Sequence, residues 1–315
     1  MSFIKSEFSF PSSDGKHTVF ATVFEPDGCE IRGIVQLSHG MIDYVGRYEV
    51  LADYLCREGY VLAGNDHLGH GRSTNGKPED FGFFADRGGI DFLLSDLKSV
   101  NSTLKEKFPR KPIVIMGHSM GSFLSRLYTE RYPETVCGHI IHGTGGPMGA
   151  ILPLGKLVVK LNSLLFGNRH RSKFVASLAF MGYNKKFDKS EGIFAWLTRD
   201  VERVNGRLSD EYTNFIFTVS AYHDLFCMVG LCNSGRWFKE YPTDMKTLIL
   251  SGDMDPVGNY GKGPSCVYKK LLAAGCTEIK LKLYDGARHE LFNETCKDEV
   301  FADIKRWLDK LTDKE

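Results

Sequence analysis

Ser119 is the residue whose surroundings most strongly indicate chemistry. It stands in Gly117-His118-Ser119-Met120-Gly121, between the apolar segment 113–116 and a helical segment at 120–132. A serine on a sharp strand-to-helix turn exposes its hydroxyl, and small neighbours let the backbone fold tightly around it. The G-x-S-x-G pattern alone is weak, so the flanking strand and helix carry the inference. The sequence therefore predicts that Ser119 is a nucleophile for acyl transfer.

A serine hydroxyl attacks a carbonyl only when a base takes its proton, and His289 is the predicted base. It is one of ten histidines and lies in Asp285-Gly286-Ala287-Arg288-His289, directly after the apolar segment 279–284. A loop at this place can reach over the same sheet edge as Ser119. The order serine, acid, histidine along the chain is one of the known triad orders.

Asp255 is the predicted acid that orients the imidazole of His289, and Asp253 is its rival. Both follow the apolar segment 247–250, and a proline directly after Asp255 stiffens the turn that carries it. The other common position for the acid is the loop at 142–147, which contains no carboxylate. The sequence therefore favours Asp255.

The negative oxygen of an acyl-transfer intermediate needs two N–H donors, and the backbone can supply both. Met120 follows the nucleophile at a helix start, where the helix dipole also favours negative charge. Met41 follows His39-Gly40 in the loop after the first strand of the predicted parallel sheet. Met41 and Met120 are therefore the predicted oxyanion-hole residues, on the basis of position alone.

Alternating apolar and helical segments predict an α/β fold in which a mostly parallel sheet of about eight strands has helices on both faces. The chain opens with a predicted hairpin, whose strands at 3–10 and 17–24 flank Ser12-Ser13-Asp14-Gly15. The remaining predicted strands lie at 33–37, 60–64, 113–116, 136–141, 247–250 and 279–284, and the predicted helices at 47–58, 90–108, 120–132, 264–274 and 298–312.

The alternation stops between residues 146 and 236, where the sequence is helical and loop-like. We therefore predict a core of residues 1–145 and 237–315 and a helical cap of residues 146–236 inserted above the sheet. Apolar stretches at 161–166 and 174–181 are expected to line an acyl pocket under this cap.

The composition is that of an ordinary globular protein, with 42% hydrophobic and 25% charged residues. The net charge of +1 gives no electrostatic reason to expect nucleic acid as a partner. The eight cysteines form no C-x-x-C pair and are expected to be reduced, which favours the cytoplasm. The N-terminus does not resemble a signal peptide, and no apolar run predicts stable membrane insertion.

Two other groups of polar residues are interpreted as structural. Asp66, His67 and His70 lie in a glycine-rich turn, and no further cluster of ligands accompanies them, so no metal is predicted. Arg169-His170-Arg171 is expected to be solvated surface of the insertion.

Several stretches, spread nearly from end to end, resemble the monoacylglycerol lipase and lysophospholipase branch of the α/β-hydrolases, related to the serine aminopeptidase S33 enzymes. They are Leu37-Ser38-His39-Gly40, Gly46-Arg47-Tyr48-Glu49, Asp66-His67-Leu68-Gly69-His70-Gly71-Arg72-Ser73, Gly117-His118-Ser119-Met120-Gly121, Gly252-Asp253-Met254-Asp255-Pro256-Val257 and Gly286-Ala287-Arg288-His289-Glu290. The resemblance implies the α/β-hydrolase fold, hydrolysis of small single-chain acyl esters, and no cofactor.

The resemblance also assigns Asp43, Arg47 and His118 as candidate substrate-binding residues. Members of this branch commonly carry a Glu-His pair shortly after the His-Gly motif, near the polar end of the substrate, where this chain has Asp43-Tyr44. This difference predicts a polar group of the substrate that differs from glycerol.

The predicted function is a serine ester hydrolase for monoacylglycerols, lysophospholipids or similar acyl esters. An esterase for aryl or cinnamoyl esters is the alternative, followed by a serine peptidase. A non-catalytic binding module on the same scaffold is a third hypothesis, but all three predicted triad residues are present. Fold alone does not decide between these functions.

Overall fold

The computed structural model describes residues 2–312, so Met1 and residues 313–315 of the predicted core lie outside the described residues. Its eight strands form one sheet in the order β1-β2-β4-β3-β5-β6-β7-β8. The strands are β1 (Phe3–Pro11), β2 (Thr18–Pro26), β3 (Gly33–Ser38), β4 (Tyr60–Asn65), β5 (Ile113–His118), β6 (Gly138–His142), β7 (Lys246–Gly252) and β8 (Ile279–Tyr284).

The sheet is parallel from β4 to β8, and the opening hairpin adds the only antiparallel pairings among the described strands. The helices are α1 (Glu49–Arg57), α2 (Gly89–Lys107), α3 (Met120–Arg131), α4 (Ile151–Phe166), α5 (Lys173–Ala179), α6 (Val201–Ser209), α7 (Val219–Cys232), α8 (Gly235–Glu240), α9 (Lys262–Ala273) and α10 (Lys297–Thr312). The predicted fold class is confirmed.

Two hydrophobic cores cover the two faces of the sheet, because strand side chains alternate between faces. On β5, Ile113 and Ile115 pack in the core that contains α2, α3 and α9. Val114 and Met116 pack in the other core, which contains α1 and α10. With both faces covered, the carboxyl-end edge of the parallel strands is left for the loops.

Helices α4 to α8 lie between β6 and β7, where the described residues include no strand. Helix α7 packs against α4, and Val159 of α4 and Val175 of α5 are buried. Leu161, Leu164, Leu165 and Phe166 of the predicted apolar stretches are exposed, as are Phe174, Leu178 and Met181.

The bounds of the predicted elements differ from the structure by at most two residues, and the strand predicted at 279–284 coincides with β8. Strand β6 begins two residues later than predicted, after a 3-10 turn at Pro133–Thr135. The first predicted helix is divided into a 3-10 turn at Val45–Tyr48 and α1. None of the described helices is both long and apolar enough to cross a bilayer.

Candidate active site

Ser119 lies between β5 and α3 in a backbone conformation that few L-residues adopt, with φ of +53° and ψ of −119°. Such strain persists only where the surroundings enforce it, and it is common at functional sites. The flanking glycines are required here. A Cβ on Gly117 would lie 2.2 Å from the carbonyl oxygen of Gly121, and a Cβ on Gly121 would lie 1.9 Å from that of Ser38.

Ser119, His289 and Asp255 are brought together at the carboxyl ends of β5, β8 and β7. The Ser119 Oγ lies 2.9 Å from His289 Nε2, and His289 Nδ1 lies 2.9 Å from Asp255 Oδ2. Asp255 and His289 are buried, so bulk water does not compete for the bond between them. The other carboxylate oxygen of Asp255 accepts a hydrogen bond from the N–H of Val257 at 2.8 Å, which fixes its orientation.

Asp253, the rival acid, faces a different group. Its Oδ1 accepts a hydrogen bond from the N–H of Gly286 at 2.8 Å, in the loop that leads to His289. Gly252 approaches the same loop so closely that a Cβ would lie 2.0 Å from the carbonyl oxygen of Ala287. The geometry therefore gives Asp255 the contact with the imidazole and Asp253 a contact that shapes the loop carrying it.

The insertion supplies Trp196 to the surroundings of His289. The centroids of the two rings are 5.2 Å apart, and the N–H of His289 donates to the carbonyl oxygen of Trp196 at 3.3 Å. The N–H of the next residue, Glu290, donates to Leu197 at 2.7 Å. The sequence analysis did not identify Trp196, because Trp196 is in no recognisable motif and meets His289 only in the folded chain.

The loop after β3, which carries Met41, passes the nucleophile at Gly40. A Cβ on Gly40 would lie 3.3 Å from the Cβ of Ser119, so this loop passes directly beside the serine. The loop is held by His39, whose Nε2 accepts from the N–H of His67, and by His70, whose Nε2 accepts from the N–H of Ile42.

Burial favours the neutral form of the three loop histidines, His39, His67 and His70. Burial lowers the pKa of His39 and His67, and it lowers the pKa of His70 to about 3. His39 and His70 use both ring nitrogens in hydrogen bonds to backbone groups. These side chains therefore stabilise the conformation of the loops. Among the described residues, no group of three or more candidate ligands has the geometry of a metal site.

An ion cluster of Asp43, Arg47, Arg207 and Glu290 lies beside the loop that carries His289. Arg47 donates to Asp43 Oδ1 at 2.8 Å and to Glu290 Oε2 at 2.9 Å, and Arg207 donates to Glu290 Oε1 at 3.2 Å. Tyr48 donates its hydroxyl to the second oxygen of Asp43 at 2.7 Å. Two buried carboxylates thus face two guanidinium groups, which balances the charge.

The arginines keep both carboxylates ionised. Burial would raise the pKa of Asp43, but Arg47 outweighs it and brings the pKa to about 2. Burial also opposes ionisation of Glu290, and Arg47 and Arg207 bring its pKa to about 2. Since unfolded carboxyl groups titrate near pH 4, the cluster stabilises the fold above about pH 4 and loses this effect as the pH falls towards 2.

Replacing Asp43 with asparagine is expected to remove this stabilisation and leave Arg47 without full compensation. Breaking a buried ion pair costs about 3–5 kcal/mol, and the free energy of unfolding at pH 6 should fall by that order. The difference from the wild type should shrink between about pH 4 and pH 2. Urea unfolding at several pH values measures it, with Glu240→Gln in the exposed pair with Arg236 as the control. A difference that stays constant down to pH 2 would contradict the charge assignment.

The structure places the three predicted substrate-binding residues at one small cavity of about 10 Å³, whose lining also includes His142 and Glu290. Asp43 and His118 are buried there, and Arg47 is half-buried. The ring of His118 stacks on that of His142 with centroids 4.4 Å apart. Within residues 2–312, Nδ1 of His118 has no hydrogen-bond partner. A cavity of this size has room for about one water molecule, not for a substrate head group.

The chain is similar in sequence and overall structure to known hydrolases. The sequence profile described as serine aminopeptidase S33 (Hydrolase_4) matches residues 29–296. A monoacylglycerol lipase of Mycolicibacterium smegmatis is 30% identical over 98% of each chain, and a monoglyceride lipase homolog of monkeypox virus is 26% identical over 88% of this chain and 89% of the viral protein. The crystal structure of a thermostable carboxyl esterase from Bacillus coagulans, in complex with glycerol, superposes with a TM-score of 0.91. It is 26% identical and covers 98% of this chain and 99% of its own.

Proposed function

Since the chain belongs to the serine aminopeptidase S33 (Hydrolase_4) family, we propose that it hydrolyses single-chain acyl esters of the monoacylglycerol or lysophospholipid type. The observation that carries the proposal is the chain of contacts from Ser119 through His289 to Asp255, with 2.9 Å at each step. Relatives named as lipases and an esterase support the ester class.

In the proposed reaction, Ser119 Oγ forms a bond to the carbonyl carbon while its proton passes to Nε2 of His289. The carbonyl electron pair moves onto oxygen and gives a tetrahedral oxyanion. When this intermediate collapses, the bond to the leaving alcohol breaks, and the imidazolium returns its proton to that alcohol. A water molecule then repeats the sequence on the acyl-enzyme and releases the acid. Asp255 holds the tautomer and stabilises the imidazolium.

The oxyanion would be bound by the N–H groups of Met41 and Met120. Met120 opens α3, so its N–H has no partner within the helix and points along the favourable end of the helix dipole. The contact of Gly40 with Ser119 supports the assignment of Met41, because it brings the loop after β3 to the reacting serine. Backbone donors fixed in this way need no reorganisation during the reaction.

Residues 146–236 are proposed to act as a cap over a core of residues 1–145 and 237–315. The contacts of Trp196 with His289 support this division, since they bring the insertion to the reacting groups. The exposed side chains of Leu161, Leu164 and Phe174 offer apolar surface for an acyl chain. The head-group roles of Asp43, Arg47 and His118 stay predictions.

The activity is expected to rise with acyl length. Each buried methylene contributes up to about 0.8 kcal/mol, so kcat/KM should increase from the butyrate to the octanoate monoester of glycerol. It should then level off or fall once the apolar surface is filled. The measurement is kcat/KM for butyrate, octanoate and laurate monoesters on one enzyme preparation.

Two further substrates separate the alternatives. A cinnamate ester tests for an aryl esterase. A proline arylamide tests for a peptidase, an alternative that the family description raises. Cinnamate turnover far above a flat aliphatic series would overturn the acyl-ester proposal, and arylamide turnover alone would replace it with a peptidase.

The cytoplasm remains the predicted compartment. All eight cysteines are free thiols in the structure. Burial raises the pKa of Cys56 to about 12 and that of Cys232 to about 11, so these two stay protonated and unreactive. Free thiols of this kind are typical of proteins in reducing compartments.

A further inference from the structure

Arg207 of α6 is the residue of the insertion that touches both sides of the candidate site. Its Nη1 donates to Glu290 Oε1 at 3.2 Å, and its Nη2 donates to the carbonyl oxygen of Ile42 at 2.8 Å. Glu290 directly follows His289, and Ile42 directly follows Met41. The side chain is buried, with 7% of its surface exposed. One guanidinium group therefore joins the loop of the base to the loop of the proposed oxyanion donor.

The loop at Ile42 needs such support. Ile42 has φ of +54°, which is costly for a β-branched residue. A strained conformation persists only when surrounding contacts enforce it. The N–H of Ile42 is held by Nε2 of His70 at 3.2 Å, and its carbonyl oxygen is held by Arg207. Without Arg207, the carbonyl oxygen of Ile42 loses its contact with the insertion.

A second set of contacts joins the same two parts of the chain. The hydroxyl of Tyr44 donates to Asp210 Oδ2 at 2.8 Å, and the rings of Tyr44 and Tyr212 meet edge to face with centroids 5.3 Å apart. Asp210 directly follows α6, and Tyr212 lies in the 3-10 turn after it. The segment 201–212 therefore docks on the loop at 42–44 through polar and aromatic contacts.

We propose that Arg207 is a positioning residue that sets the oxyanion loop and the His289 loop in their reactive arrangement when α6 is docked. The inference deepens the proposed function and rests on it, because it assumes that Met41 and His289 act in ester hydrolysis. The insertion would then do more than cover the site, since it supplies the contact that completes it.

The geometry requires arginine rather than a positive charge alone. Two different nitrogens of one planar group reach Glu290 and Ile42, which lysine, with a single nitrogen, cannot do in the same way. Arg207→Lys keeps the charge of the ion cluster but is expected to lose the bridge. Arg207→Met keeps much of the side-chain bulk but loses both the charge and the bridge.

The test compares Arg207→Lys and Arg207→Met with Arg203→Met, a matched control one turn earlier on α6. Misplacing a reacting group by about 1 Å can cost about 100-fold in rate, so kcat on a glycerol monoester should fall by about 10- to 100-fold in both Arg207 variants. KM should change by less than about threefold, because a transition-state interaction is lost rather than uniform binding. The affinity for an alkyl trifluoromethyl ketone, whose adduct carries the oxyanion, should weaken in parallel with kcat/KM. Arg203→Met should match the wild type.

The outcomes separate the inference from the proposed function. Thermal unfolding establishes that each variant is folded, and the lysine variant keeps the test valid should Arg207→Met not fold. Wild-type kcat and inhibitor affinity in folded Arg207→Lys would overturn the positioning role and leave the ester hydrolase standing. A raised KM with unchanged kcat would overturn it too, by making Arg207 a substrate contact. Absence of ester turnover in the wild type would instead reject the proposed function.

Discussion

Ser119→Ala is expected to lower kcat for ester hydrolysis by about 10⁶-fold, the scale of the loss when the triad serine of a serine protease is removed. The reason is that no other hydroxyl lies 2.9 Å from Nε2 of His289 among the described residues. The fold should be unchanged, because alanine removes one oxygen from a half-buried side chain. Steady-state kinetics on a glycerol monoester measures the effect.

Ser99→Ala is the matched control for this substitution. Ser99 is exposed on α2, and its hydroxyl donates only to the carbonyl oxygen of Ser95 in the same helix. The control should retain wild-type activity. Residual activity in Ser119→Ala within about tenfold of the wild type would mean that the chemistry uses another group, since each factor of ten corresponds to about 1.4 kcal/mol of barrier.

Asp255→Asn is expected to lower kcat by about 10⁴-fold, the loss that follows in serine proteases when the wrong imidazole tautomer is held. An asparagine NH₂ facing Nδ1 of His289 would favour the tautomer whose Nε2 cannot take the serine proton. Asp255 is fully buried, so water cannot replace the lost acceptor. The measurement is kcat as a function of pH for the variant and the wild type.

Asp253→Asn is the matched comparison two residues away. The asparagine side-chain oxygen can still accept from the N–H of Gly286, so the loop should keep its shape and kcat should change little. The reverse ranking, with Asp253→Asn the more damaging change, would mean that the acid is assigned to the wrong carboxylate.

The sequence was sufficient for the parts of the site that depend on local constraints. The glycines on either side of Ser119 indicate a tight turn, in which a side-chain Cβ at Gly117 or Gly121 would collide with backbone atoms. Asp255 and His289 could be chosen because each follows an apolar strand, and parallel strands present their carboxyl ends at one edge. The same periodicity predicted the eight-stranded sheet to within a few residues.

Contacts between segments that are distant along the chain could not be predicted from the sequence. Arg207 and Ile42 are 165 residues apart, and no periodicity or motif in either segment pairs them. The prediction of a solvated Arg169-His170-Arg171 was incomplete, because both arginines also make contacts that the sequence does not reveal. Arg171 is partly exposed and donates to carbonyl groups of the loop at 78–81. Arg169 is exposed and pairs with the buried Asp80 at 2.8 Å.

The substrate-binding role predicted for Asp43 is another case in which the contacts could be seen only in the structure. Asp43 accepts hydrogen bonds from Arg47, from Tyr48 and from the N–H of Tyr44, so its oxygens are already in use. From sequence, a carboxylate near a predicted site looks available. These hydrogen bonds within the fold indicate that Asp43 stabilises the loop after β3.

The assignment of Ser119 as the nucleophile of a serine ester hydrolase is tested by locating a covalent adduct. The protein is treated with an alkyl fluorophosphonate, digested and analysed by peptide mass spectrometry, beside Ser119→Ala treated in the same way. We expect one phosphonylated serine, Ser119, and no adduct in the variant. An adduct on another serine, or labelling that persists in Ser119→Ala, would contradict the assignment.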